Sequence, residues 1–328
     1  MEDKIESVSF MQKLKALPLG ILPTMMGLAS ISTAWLRMGF PLIWHISMIA
    51  AVLIWILYIV KLVCHFKACA CEYQNTVTAS MYSATGILLI IITPWLAQWF
   101  FTFAQILHYT GVALLLTLAL YFTYRHVRVG INPNTFLPTW FVTYVGPMIS
   151  NVVGVPLFIP VVPMVILIYG ITLYFVLLIL LLPRLRRHPI PEAAVHSRTV
   201  MIAPAGLVLI GYLNVMPNPH LVLAALFYLM MFTSLIYVVC NTPKFFVLPF
   251  FPGYAALTFP MAAGTLASFR MSDFLLELGH LNFSAALFQL AGIQMYVTTG
   301  IITFVIFNFA RMGVRAMRPN KVEAEVSG

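Results

Sequence analysis

The sequence predicts an all-α membrane protein of ten transmembrane helices paired as five helical hairpins. Three observations predict it: a composition that water cannot accommodate, ten apolar runs of spanning length, and an alternation of proline and glycine between successive runs. The chain has 328 residues, 62% of them hydrophobic and 8% charged, with 25 Phe and 18 Met. Soluble domains are about 45–50% apolar and about 25% charged. Burying this much apolar surface in water takes a larger core than a chain of this length encloses. The same figures exclude a disordered chain, and the scattered glycines exclude a collagen-like one.

A membrane-spanning helix takes about 20 mostly apolar residues. Such runs fall at 18–36, 42–64, 77–99, 102–124, 138–156, 163–182, 199–216, 220–240, 247–269 and 283–310, the fifth interrupted by prolines. They are too long and continuous for barrel strands, whose mark is a short alternation. The expected organisation is a cytoplasmic N-terminal segment at 1–15, a transmembrane domain at 16–312 and a cytoplasmic tail at 313–328. The polar opening MEDKIESVSFMQKLK is not read as a cleavable signal.

Ten spans put both termini on one side. Sixteen Lys and Arg then fall on that side and two, Arg37 and Arg270, on the other. This positive-inside bias makes the termini cytoplasmic and the protein a multi-pass protein of the cell membrane. The net charge of +9 is spread between the apolar runs, so it does not build a face for nucleic acid. The four cysteines make no disulfide framework.

The odd runs are broken and the even ones are not. The first carries Pro18, Gly20, Pro23 and Gly27, and the third Gly86 and Pro94. The fifth carries Gly146, Pro147 and Gly154, and the seventh Pro204, Gly206 and Gly211. The ninth carries Pro249, Pro252, Gly253, Pro260 and Gly264. Even runs lack interior proline, and odd runs start about 60 residues apart until a shorter last step, which reads as a hairpin repeat. Proline removes a backbone donor and frees a carbonyl, tolerated in lipid only against protein or a watery cavity. The economical arrangement puts the odd helices inside around an axis and the even ones against lipid. Against it stands the general abundance of Gly and Pro in membrane helices.

Apart from residues at helix ends, the spans hold no carboxylate, with Glu72 in a cytoplasmic loop and Asp273 and Glu277 in the last outer loop. That disfavours a proton relay or cation site and leaves hydroxyls, amides and free backbone, which suit small inorganic or organic anions. The polar candidates on odd helices are Thr24, Ser83, Thr85, Thr143, Ser150, Asn151, Asn214, Thr258 and Thr265. Each is either a pore-liner or a helix-packing residue. The cluster at Arg184–Arg187 is either an interfacial anchor or a funnel for anions. Cys64, His65, Cys69 and Cys71 lack paired metal-ligand spacing and read as reduced thiols, so neither metal nor cofactor is expected. His45 and His108 read as packing residues. Phe259 directly precedes Pro260, where helical geometry is disfavoured, so a break is expected there. A ring at such a break either plugs a narrow pore or simply packs.

Five motifs in register carry a resemblance. They are PLGILPTMMGLA from Pro18 to Ala29, Cys71-Glu72-Tyr73 with Val77, Phe136-Leu137-Pro138, Arg198 through Ala203-Pro204, and TFPM from Thr258 to Met261. Over about residues 16–312 the chain resembles the tellurite-resistance/dicarboxylate transporter family. That family includes bacterial tellurite-resistance membrane proteins, fungal malate permeases and plant slow anion channels. The resemblance implies five hairpins in a quasi-fivefold array, a central pore lined by odd helices, and a homotrimer with one pore per protomer. It implies that Phe259 is the pore-occluding gate, and it implies neither metal nor enzyme chemistry. The helix-breaking residues expected to shape that pore are Pro23, Gly27, Gly86, Pro147, Pro204, Pro260 and Gly264, with Thr24, Thr85, Ser150, Asn151 and Thr258 as its polar lining. The long tails of the plant channels are absent, so regulation by phosphorylation is not expected.

Three functions are weighed. The first is an anion channel or transporter gated by Phe259. The second is a coupled carrier for C4-dicarboxylates or an oxyanion such as tellurite, which would need a donor cluster or fixed cation. The third, an intramembrane enzyme, would need a titratable pair at depth, and none is visible.

Overall fold

The computed structural model describes residues 10–247 and 249–317. Residues 1–9 and 318–328 of the two expected terminal segments, including Lys4, Arg318 and Lys321, lie outside the described residues. The described chain is helical, without a strand. Seven of its helices are long and apolar enough to cross a membrane: Pro41–Cys64, Thr76–Leu96, Phe101–Val127, Val161–Arg187, Ala194–Val215, Leu221–Asn241 and Leu281–Arg315. They coincide with the second, third, fourth, sixth, seventh, eighth and tenth expected spans.

Helical segments also stand at the other three expected positions, each with a reason for its weaker signal. The first, Ile21–Arg37, has 17 residues. The fifth is broken into Trp140–Tyr144, a 3-10 turn at Gly146–Met148, Ile149–Val153 and a second turn at Val155–Leu157. The ninth, Thr258–Glu277, is 20 residues long and carries Arg270, Asp273 and Glu277.

The ninth segment corrects two expectations. Its span was expected at 247–269, but the α-helix starts later, after a 3-10 turn at Pro252–Leu257, and runs to Glu277. Asp273 and Glu277 therefore sit on a helix and not in an outer loop. Each has a cationic partner that makes this tolerable: Arg37 pairs with Asp273 at 2.6 Å and Arg270 with Glu277 at 3.2 Å. The expected break at Phe259 also moves. Thr258, Phe259 and Pro260 form the first helical turn, and the discontinuity is the 3-10 to α junction just before Thr258. A proline there costs little, because first-turn N–H groups have no intrahelical acceptor. Pro23 and Pro204 occupy the same third position of Ile21–Arg37 and Ile202–Val215.

Odd and even segments differ in burial. In the apolar windows of Thr76–Leu96 and Ala194–Val215, 78% of residues are buried, against 28% or 33% in the other five long helices. Leu42, Ile46, Ile49 and Leu53 on the second helix, and Val165, Ile168 and Ile179 on the sixth, are exposed apolar side chains of the kind a lipid tail covers. The odd segments touch one another in a closed circuit, first to third to fifth to seventh to ninth and back to the first, and each packs on the even helix that follows it.

Two of the hairpin turns share one device. Gly39, at φ +88°, ends the first helix, with Phe40 N–H donating to the Trp35 carbonyl and Gly39 N–H to Leu36. Gly279, at φ +81°, ends the ninth, with His280 N–H donating to Leu275 and Gly279 N–H to Leu276. Both are Schellman motifs, whose left-handed residue favours glycine.

Candidate functional site

Two cavities lie between the odd segments. One, of about 130 Å³, is at the end where those segments begin, here the N-side cavity. Its lining comes from all five odd segments and their lead-in turns, including Pro23, Ile87, Gly146, Pro204 and Pro260, and from none of the even helices. The other, of about 320 Å³, lies where the odd helices finish, here the C-side cavity. It too is lined mainly by odd helices, with Trp44 and Met48 added from the second. Two side chains line both cavities, Phe259 and Leu207, 6% and 4% exposed.

Phe259 is held from behind. A Cβ added to Gly27 would lie 2.8 Å from the Thr258 carbonyl carbon and 2.9 Å from the Phe259 nitrogen, so glycine alone lets the two backbones meet this closely. Thr258 Oγ1 fastens the same crossing by donating to the Pro23 carbonyl at 2.9 Å, with the Ala255 carbonyl at 2.7 Å as a second acceptor.

Across residues 16–312 the chain matches the family model described as voltage-dependent anion channel. The chain belongs to that family. This is the family its five motifs resemble. No curated protein matches the chain. Membership makes it an anion channel or transporter of the tellurite-resistance/dicarboxylate group, and its apolar helices make it a multi-pass membrane protein.

Within this family member the remaining candidates fall as follows. Pro23, Pro204 and Pro260 line the N-side cavity, whereas Pro147 is buried in its 3-10 turn. Gly27, Gly86 and Gly264 are close-packing points between helices: a Cβ on Gly86 would meet Leu115 at 2.8 Å, and one on Gly264 would meet Ile202 at 2.9 Å. None of Thr24, Thr85, Ser150, Asn151 and Thr258 is among the residues lining either cavity. Four of them donate to a carbonyl three or four residues earlier, at 2.7–2.8 Å. Asn151 Nδ2 donates to the Pro163 carbonyl at 2.8 Å, which ties the broken fifth segment to the sixth helix. Asn214 does line the C-side cavity, donating to the Asn151 and Val152 carbonyls and accepting from Arg270 Nε at 3.0 Å.

Sequence reading passed over several lining residues. Leu207 looks like any other leucine on the seventh helix. Arg37 and Arg270, seen in sequence as end-of-span charges, both line the C-side cavity beside Asp273. Thr139, His196 and Ser197 line the N-side cavity from turns that precede the fifth and seventh helices. Among the described residues no three His, Cys, Asp or Glu side chains are grouped to hold a metal.

Proposed function

We propose that the chain passes small anions through the space enclosed by its five odd segments, closed in this conformation by Phe259 together with Leu207. The carrying observation is that these two side chains alone, among the described residues, line both cavities. An apolar constriction excludes ions by excluding water, so a ring between two cavities is a barrier to current. On this reading all ten segments span the bilayer as a quasi-fivefold array of hairpins, supported by the closed circuit of odd-segment contacts. The charge bias of sixteen to two supports cytoplasmic termini, which makes the N-side cavity the inner one. The homotrimer follows from the family resemblance.

The test is anion current across a planar bilayer under chloride, nitrate and malate gradients. Phe259→Ala is expected to raise the current at least about tenfold, with reversal potentials following the anion. A current unchanged by both Phe259→Ala and Leu207→Ala contradicts the gate. A second reading, a coupled carrier of C4-dicarboxylates or of an oxyanion such as tellurite, draws support from Arg37 and Arg270 in the C-side cavity. These are the fixed cations that a carrier for dianions would need. Saturable exchange of labelled dicarboxylate without current would favour it.

A further inference from the structure

A third cavity, of about 310 Å³, lies away from Phe259 and Leu207, between the sixth and eighth helices. One wall is Leu182 and Leu185 of the sixth helix, the other Thr233, Ser234 and Tyr237 of the eighth. Arg198, on the 3-10 turn that leads into the seventh helix, also lines it. Leu182 and Tyr237 are 44% and 46% exposed, so the cleft opens on the face that lipid covers. Its depth in the bilayer is set as well. Leu185 and Tyr237 stand in the final turns of the candidate spans Val161–Arg187 and Leu221–Asn241. With one span between them these helices run the same way, so both ends meet the same side of the membrane.

The polar groups of the cleft gather at one place. Arg198 is partly exposed and, among the described residues, pairs with no carboxylate. Its Nη1 donates to the Tyr237 hydroxyl at 2.9 Å. A guanidinium carries five N–H donors in a planar fork, so donors remain for a ligand. The Tyr237 oxygen accepts from Arg198 and keeps its own proton for a further acceptor. Thr233 and Ser234 add no donor, because their hydroxyls donate to the Leu229 and Met230 carbonyls at 2.7 and 3.1 Å. Arg186, exposed and one turn beyond Leu182 on the same helix face, brings a second cation to the rim. The cleft is therefore apolar along its walls and cationic at its membrane-surface end. A phosphate answers the spare donors and the charge, and a hydrocarbon tail answers the walls. A small free anion would leave the walls uncovered.

We infer that this cleft holds an anionic phospholipid, with its phosphate on Arg198 and Tyr237 and an acyl chain between the sixth and eighth helices. The inference needs the membrane-spanning helices alone and stands apart from the anion pathway proposed above.

The full chain in detergent is titrated with phosphatidylglycerol, with phosphatidylcholine of the same acyl chains and with glycerol 3-phosphate, and bound lipid is counted by native mass spectrometry. Wild type is expected to hold its first phosphatidylglycerol about tenfold tighter than phosphatidylcholine, the effect of a charge-assisted bond. Glycerol 3-phosphate, which lacks the tails, is expected not to displace it. Arg198→Gln is expected to bring the ratio toward one, and Tyr237→Phe to lower it about threefold. Arg128→Gln, at an exposed cation beyond the fourth helix, is expected to leave the ratio unaltered. Tyr237→Phe keeps the ring and decides the matter if Arg198→Gln does not assemble. A wild-type ratio near one, a ratio that Arg198→Gln and Tyr237→Phe leave unaltered, or an equal loss in Arg128→Gln overturns the lipid site. Displacement by glycerol 3-phosphate overturns it in favour of a free phosphate. Oligomers that fall apart in Arg198→Gln while bound lipid is unchanged overturn it in favour of a second copy of this chain.

Discussion

At the residue scale, the proposed gate depends on the contacts that hold Phe259 as much as on its ring. Gly27→Ala would drive a methyl group into the backbone at Thr258 and Phe259. Overpacking of this kind costs about 1–3 kcal/mol. The expected outcome is a lower thermal midpoint in detergent together with a raised basal anion leak, since the strain falls on the backbone that carries the proposed gate. Thr258→Val removes one donor from two carbonyls and is expected to cost about 1 kcal/mol, read by the same melt. The sequence showed that Thr24, Thr85 and Thr258 lie on odd helices, but not what their hydroxyls bond. A short hydroxyl in a helix competes for the carbonyl one turn back, and Thr24, Thr85, Ser150 and Thr258 all do so.

At the element scale, the prolines that mark the odd helices act in two ways. Pro23, Pro204 and Pro260 stand in first turns, where the missing N–H has no intrahelical partner to lose. Pro94 lies inside Ala84–Leu96 and frees the Ile90 carbonyl, which Thr93 Oγ1 takes up at 2.8 Å. Thr93 Oγ1 also meets His108 Nδ1 at 2.6 Å. Thr93→Val therefore takes a hydrogen-bond partner from a freed carbonyl and from a buried imidazole together. A loss of about 1–3 kcal/mol is expected, measured as a lowered denaturation midpoint in detergent. The alternation of broken and unbroken helices was legible in the placing of these prolines, whereas the ninth boundary was not. Hydropathy treats Arg270, Asp273 and Glu277 as loop, and only their ion-pair partners show that a helix can carry them.

At the scale of the whole molecule, fixed cations stand at one end of the space between the odd segments. The C-side cavity carries Arg37 and Arg270, with Arg37 held by Asp273 through two bonds of 2.6 Å. Asp273→Asn would release that guanidinium's countercharge. Anion conductance at low salt is expected to rise about two- to threefold, and the difference to vanish near 1 M salt, where the Debye length is about 3 Å. An unchanged salt dependence would show that the pair is structural alone. The deeper burial of the third and seventh runs was legible from composition, since both carry proline and glycine. The N-side polar groups were not. His196 and Ser197 sit in the stretch PEAAVHSR, whose polarity reads as a connecting loop, and only the 3-10 turn at Glu192–Met201 brings them to the cavity.

The contact at Gly27 also bears on how such a passage could widen. Backbone meets backbone there, so sliding the first helix along the ninth would part that contact. Opening by helix displacement would sacrifice that seam, while turning the Phe259 ring about its two side-chain torsions leaves it intact. Ring rotation is a local motion, whereas a helix shift is collective. A passage controlled in this way would open at one side chain, with the helical frame left in place.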